Sequence, residues 1–283
     1  MELRAGHWMT GQERNCSRTY LKEFIGLILM TADEYLRNLI TRDQIITGEG
    51  SAASNAGNAL YQVVKRWAGN QLRSGSYSGS YAKGTAIRGR TDVDLFISLK
   101  SDTTNTLKEI FNGLYSWISQ NGYPYARRQN VSVHVTHNGV EVDLVPAVHF
   151  GGNTEDYWLY VNKANKERTK TNVNTHIECV RNSGRINEII LTKIWRKNHN
   201  LDFPSFYLEL VVMEALKYSR SGLADNFLAV LDYLNNGFKS ARFVDPANTN
   251  NIISDDLTDA EKRLIASQAG QSRQQQSWGS IVW

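Results

Sequence analysis

Two aspartates separated by one valine, Asp92 and Asp94 in "DVDLFISL", carry the clearest chemical potential in this chain. Apolar residues alternate through that stretch (Val93, Leu95, Ile97, Leu99) except at Phe96, which predicts a half-buried strand. Strand side chains alternate, so Asp92 and Asp94 share one face, their carboxylates roughly 7 Å apart. A third acid comes from "VEVDLVPA", where Val140, Val142 and Leu144 face one way and Glu141 and Asp143 the other. If the two strands are neighbours in one sheet, Asp143 joins Asp92 and Asp94. Clustered carboxylates raise one another's pKa values unless a cation sits among them, and hard oxygen ligands suit Mg²⁺ or Mn²⁺.

A D-x-D alone on an exposed strand face is solvated surface, and a Gly-Ser pair alone is a turn. Here Gly79-Ser80 precedes the strand, with eleven residues between Ser80 and Asp92. Glycine lets the backbone approach a phosphate closely, and adjacent N–H groups with a serine hydroxyl form an anion-binding concavity. Turn, acid pair and third strand acid together make a specific pattern.

The elements that must position these residues can be read along the chain. Helical periodicity runs over 20–40, a second helix is expected over about 57–68, and a third over 105–119. "VSVHVTHNGVEVDLVPAV" predicts two strands joined at Asn138-Gly139, the second ending at Pro146. From about residue 173 the pattern is mainly helical. A strand-rich first half and a helix-rich second half predict an α+β architecture with a cleft between two lobes. The expected division is 1–165 (catalytic core with N-terminal helices), 166–264 (helical lobe) and 265–283, a polar, repetitive tail expected to be flexible.

Composition narrows the function. The 283 residues, 41% hydrophobic, suffice for a sizeable core, and the net charge of +4 is concentrated in 161–200, with nine Lys/Arg against three Glu. Cys16 and Cys179 are the only cysteines, which excludes a disulfide framework and a multi-Cys zinc ribbon and fits a reducing cytoplasm. "FIGLILM" at 24–30 is too short to span a bilayer and is expected to be a core helix segment, so no membrane partner is expected. His134 and His137, three apart, do not share a strand face and are not expected to bind metal. His176 is expected to be structural or solvated, with a nucleotide contact as the alternative.

"GSYAKGTAIRGRTDVDL" at 79–95 resembles the active-site signature of the DNA-polymerase-β-like nucleotidyltransferases. It is especially similar to that of the 2′-5′-oligoadenylate synthetases and the bacterial cGAS/DncV-like nucleotidyltransferases. "VEVDLVPA" resembles the segment with that family's third metal-binding carboxylate, here Asp143. "LTKIWRK" at 191–197 is similar to the helix whose lysine contacts the donor triphosphate, here Lys193, although its helical pattern alone makes Lys193 a solvated residue. "PSFYLELVVMEAL" at 204–216 resembles the next family helix, which assigns phosphate contact to Ser205 and base stacking to Phe206. By its own chemistry Ser205 is an N-cap at a helix start, and Phe206 serves equally as core. "VDPANTNNIIS" at 244–254 is similar to a motif near the end of oligoadenylate synthetases, so the resemblance spans about 55–255. Two departures stand out: there is no Cys/His cluster for a zinc element, and Phe206 replaces a tyrosine. A second Gly-Ser pair, Gly75-Ser76, lies off the family spacing.

The resemblance implies a polymerase-β-like core with a mixed sheet, a helical lobe, and an active site between them. It implies two-metal catalysis with Mg²⁺, or Mn²⁺, held by Asp92, Asp94 and Asp143, while Gly79, Ser80, Lys193 and Ser205 bind the triphosphate. Expected substrates are NTPs, ATP first and GTP among the others, joined into a cyclic di- or trinucleotide signal of anti-phage (CBASS) defence. Archaeal-type CCA-adding enzymes share the motifs but add tRNA-gripping domains; with the chain ending soon after the helical lobe, small nucleotides are the expected acceptors. A regulatory protein partner or a nucleic-acid activator is compatible with the family. A linear 2′-5′-oligoadenylate synthetase and an inactive nucleotide- or RNA-binding module remain as alternatives.

Overall fold

The computed structural model describes residues 30–45, 47–89, 92–163 and 166–283. Its elements in chain order are α1 (Ala32–Asp43), α2 (Ala52–Ala68), β1 (Leu72–Tyr77), α3 (Gly79–Lys83), β2 (Val93–Leu99) and α4 (Leu107–Gln120). There follow β3 (Arg127–Arg128), β4 (Val133–His137), β5 (Val140–His149), β6 (Tyr157–Lys163) and β7 (Lys166–Thr171). The second half holds α5 (Val173–Arg181), α6 (Ile186–Asn198), α7 (Ser205–Ala215), α8 (Leu223–Asn236), β8 (Val244–Asp245), β9 (Asn248–Ile252), α9 (Asp259–Arg273) and α10 (Trp278–Ile281). The fold is α+β with a mixed sheet. "FIGLILM" up to Leu29, Cys16 and the first part of the helix expected over 20–40 lie outside the described residues.

The main sheet has the order β1-β2-β5-β4-β3, with β6 paired to β5 and β7 to β6. Among the described residues only β2 and β5 run parallel, which requires a crossover, and α4 lies on it. Helices α2 and α4 cover one face, where Leu60, Val64, Phe111 and Leu114 pack on Val93, Leu95, Ile97, Val142 and Leu144. The other face is also closed, because Phe96 packs with Val145, Ala147, Tyr157 and Leu159. So β2 is a central strand buried on both sides rather than half-buried, which explains why the alternation fails at Phe96.

Sequence expectations and structure differ at several places. Helix α2 starts at Ala52, not near 57, because the Ser51 side chain accepts from the Ser54 N–H and caps it. Strand β5 continues through Pro146 to His149. One edge of β5 is paired with β4 up to Leu144 and with β6 from Ala147, so the proline sits where that edge changes partner and the missing N–H costs nothing there. The basic stretch after 150 is not yet helical: it forms the hairpin β6-β7, which belongs to the sheet. Conversely α1 belongs with the helices, since Leu36, Leu39 and Ile40 pack in the core of α6, α7 and α8.

The stretch 265–283 is not an unstructured tail. A capping box between Thr258 and Glu261 starts α9, which buries Ile265, Ala266, Ala269 and Ser272 at helical spacing. Trp195 Nε1 donates to Ser272 Oγ at 2.9 Å, Tyr35 Oη donates to the Val282 carbonyl at 3.0 Å, and Val282 is fully buried. The inward stripe is short, with Ile265 its one large side chain in α9, so the polar composition around it hides it. Among the described residues no helix is long and apolar enough to cross a membrane.

Candidate active site

The parallel register of β2 and β5 sets Asp94 directly opposite Asp143, with Val93 opposite Val142 and Leu95 opposite Leu144. Apolar neighbours on both strands face the α2/α4 core, so the two acids must face the other way, and Asp92 immediately precedes β2. Burial, then the neighbouring Asp143 and Asp92 carboxylates, push the Asp94 carboxyl up to about 7, against the opposing pull of Lys83 and Lys193. Asp92 is raised as well, by burial and by Asp143. Nearby positive groups do not offset the mutual repulsion of these carboxylates, and their oxygens are of the kind a divalent cation takes.

Gly79 and Ser80 open α3 beside this group. Gly79 has φ +57°, and a Cβ there would stand 1.7 Å from Asp94 Oδ2, so the carboxylate occupies the space that only glycine leaves free. The Ser78 N–H donates to the Asp94 carbonyl at 2.8 Å and ties the turn to the strand. The Ser80 hydroxyl has no hydrogen-bond partner among the described residues.

Behind the turn, Lys83 and Lys193 both contact Glu209, at 2.8 and 2.6 Å, and the Thr85 hydroxyl donates to the same carboxylate at 2.8 Å. All four side chains are buried. Burial raises the Glu209 carboxyl, but Lys193 and Lys83 outweigh it and hold it well below the usual range; burial lowers Lys193 against the pull of Glu209. The cluster joins α3 to α6 and α7 and leaves one positive charge in excess. Lys193 is therefore not the solvated lysine its helix pattern predicts, because α6 is buried from Glu188 to Arg196 and has no solvent face there.

Ser205 is exposed, begins α7 and accepts a 3.1 Å hydrogen bond from Arg196 Nη1. The N-cap is Pro204, so Ser205 is not the cap its sequence position predicts. Phe206 is half-buried, its ring 4.5 Å from that of His176 and 4.1 Å from Lys83 Nζ. His176 in turn contacts Asp245 Oδ1 at 2.6 Å through Nε2, which gives the "VDPANTNNIIS" segment a place beside Phe206. The structure thus brings Asp92, Asp94, Asp143, Gly79 and Ser80 to one site and sets Ser205 and Phe206 along the adjoining helices, whereas Lys193, expected to contact the triphosphate, is buried with its ammonium held by Glu209 and Thr85.

One residue escapes the sequence reading. His134 is 5% exposed, with Nδ1 2.8 Å from Asp143 Oδ1 and 3.9 Å from Asp92 Oδ2, and Nε2 2.5 Å from Glu141 Oε2. Asp92, His134 and Asp143 each offer one ligand atom within 4.8 Å of the others, a set able to hold a metal ion. The signal was in the hairpin: a two-residue turn at Asn138-Gly139 pairs His137 with Val140 and hence His134 with Asp143. Weighing His134 only against His137 conceals it. Beside Asp92, a cleft of about 550 Å³ is lined by Arg88, Gly89, Val93, Val140 and Glu141.

A family model described as the Second Messenger Oligonucleotide or Dinucleotide Synthetase domain, SMODS, matches residues 30–183, more than half of the chain. The chain belongs to the SMODS family. No curated protein matches this SMODS chain in sequence. Among solved structures it is similar to CdnC of E. coli MS115-1 with ATP (TM-score 0.70, 18% identity, 89% of this chain and 95% of that one). The CdnC:HORMA-deltaN complex of the same strain gives TM-score 0.66 and 18% identity over 88% and 94% of the two chains. The cyclic dinucleotide synthase CdnE of Elizabethkingia meningoseptica, with GTP and Apcpp, gives 0.63 and 13% over 84% and 97%. Those identities speak for the fold, which is that of the cGAS/DncV-like nucleotidyltransferases.

Proposed function

We propose that this SMODS protein is a metal-dependent nucleotidyltransferase that joins NTPs, ATP among them, into a cyclic di- or trinucleotide signal of cytoplasmic anti-phage (CBASS) defence. The observation that carries the reading is the parallel pairing of Asp94 with Asp143, with Asp92 beside them and Gly79 closed against Asp94. Asp92, Asp94 and Asp143 would hold divalent cations, Mg²⁺ or Mn²⁺. Bound there, such ions neutralise the triphosphate, activate an acceptor hydroxyl and stabilise the leaving pyrophosphate.

The residues of the chain do the rest. Ser80 and the turn at Gly79 hold the triphosphate from one side and Ser205 from the helices on the other, while Lys193, buried against Glu209 and Thr85, acts from behind through that cluster and not by direct contact. Phe206, steadied by His176, offers a ring to the donor base. The cleft beside Asp92 receives the acceptor, whose hydroxyl oxygen attacks the α-phosphorus as the bond to the β-phosphate breaks and pyrophosphate leaves. The CdnC relative solved with HORMA supports a regulatory protein as the partner to look for, and the relatives solved with ATP and GTP support purine nucleotides as substrates.

The test is incubation of the chain with the four NTPs and Mg²⁺ or Mn²⁺, followed by a mass spectrum of the product. A phosphatase-resistant mass equal to two or three nucleoside monophosphates less the same number of waters is expected. A phosphatase-sensitive oligonucleotide would show a linear synthetase, and unreacted triphosphates under every activating condition would count against catalysis.

A further inference from the structure

His134 has no part in the chemistry above, yet it is a buried imidazole with both ring nitrogens within contact distance of carboxylates. We infer that Asp92, His134 and Asp143 form a mixed nitrogen and oxygen cation site in which His134 Nδ1 is a ligand, so that this site prefers Mn²⁺ or a similar transition-metal ion to Mg²⁺. The inference rests on the proposed role of Asp92 and Asp143 as cation ligands.

A neutral imidazole carries one N–H, and placed on Nε2 it would donate to Glu141. Glu141 lies across the hairpin with Oε2 2.5 Å from Nε2, and the Thr136 hydroxyl donates to both of its oxygens at 3.1 and 3.0 Å. Fixed in this way, Glu141 is an acceptor for Nε2–H, and the Nδ1 lone pair then faces Asp143 and Asp92. This is the arrangement by which carboxylates orient metal-binding histidines.

The spacing agrees with that role. Adjacent ligands of an octahedral ion bound at about 2.1 Å stand about 3.0 Å apart, and opposite ones about 4.2 Å. Nδ1 lies 2.8 Å from Asp143 Oδ1, near the adjacent spacing, and 3.9 Å from Asp92 Oδ2, near the opposite one. A cation drawn into this space meets one nitrogen and two oxygens. Imidazole suits transition metals, whereas Mg²⁺ favours oxygen. If Nδ1 instead keeps a hydrogen and donates it to Asp143, His134 is only a positioning residue and confers no preference between metals.

The experiment loads the full chain, without nucleotide, with less than one equivalent of Mn²⁺ and records its pulsed EPR spectrum. Coupling to a directly bound ¹⁴N is expected in the wild type and its loss in His134→Asn, whose amide keeps a polar group near the Nδ1 position. By calorimetry the Mn²⁺ Kd of His134→Asn should rise about tenfold or more and the Mg²⁺ Kd less than about threefold. A wild-type spectrum without ¹⁴N coupling overturns the inference, as does coupling that persists in the variant or an equal loss of both metals. Should the variant not fold, the wild-type spectrum decides alone. Binding is read without turnover, so a chain that shows the coupling yet makes no product keeps this site and loses the proposed reaction, and the reverse outcome separates them equally well.

Discussion

Asp94 concentrates the tension of the site: burial and two neighbouring acids push its carboxyl up to about 7, so near neutrality it takes up charge where charge is least welcome. A carboxyl raised in the folded state contributes stability that is fully present below its unfolded value near 4 and is lost as pH rises through about 7. An asparagine side chain at this position would stay neutral throughout. Without divalent ions, Asp94→Asn should therefore raise the Tm at pH 8, by roughly 2 to 4 °C per kcal/mol relieved, and change it little at pH 4. Thermal melts at the two pH values check this, and added Mn²⁺ should erase the advantage. Which residues form the site was legible only in part. Period-two alternation fixed the facing of Asp92, Asp94 and Asp143, but it left open whether their strands are neighbours, which the parallel pairing of β2 with β5 supplies. His134 needed the cross-strand register of a hairpin, and Lys193 needed the burial of its helix on all sides, which no stripe pattern reports.

At the scale of elements, α3 and its turn must stay where they are for the acids to be usable. A methyl at residue 79 would overlap Asp94 Oδ2 and demand a left-handed backbone of an alanine. Gly79→Ala should lower nucleotidyl transfer by about 100-fold or more, the effect of moving a reacting group by about 1 Å, in a protein that still folds by circular dichroism. On the other side of α3, Glu209 is the carboxylate shared by Lys83 and Lys193. Glu209→Gln leaves two buried ammonium groups without a counter-charge and should cost about 3 to 5 kcal/mol in denaturant unfolding. Element positions were legible where periodicity was strong, as in α4 and the β4-β5 hairpin. They were missed where tertiary pairing overrode local signals: Pro146 inside β5, and the lysine- and arginine-bearing strands β6 and β7.

Across the whole molecule, two cores meet along the Lys83-Glu209-Lys193 contact, one under the sheet and one among the helices. The last residues close the second core, since Ile265, Ala269, Ile281 and Val282 are each at most 5% exposed in it. Each large apolar side chain returned to water costs about 1.5 to 3 kcal/mol, so a chain cut after residue 264 should lose its cooperative melt and become protease-sensitive. The α+β architecture followed from the division of strand and helix patterns, but the terminal helices did not, because their inward residues are few and set in a polar stretch. The central claim, that Asp92, Asp94 and Asp143 form one metal-dependent nucleotidyl-transfer site, is tested most directly by comparing product formation in wild type and Asp92→Asn/Asp94→Asn. With the four NTPs and Mn²⁺, the wild type should yield a phosphatase-resistant oligonucleotide and the double variant at least about 1,000-fold less, a barrier change of about 4 kcal/mol. Equal product from both proteins would contradict the account.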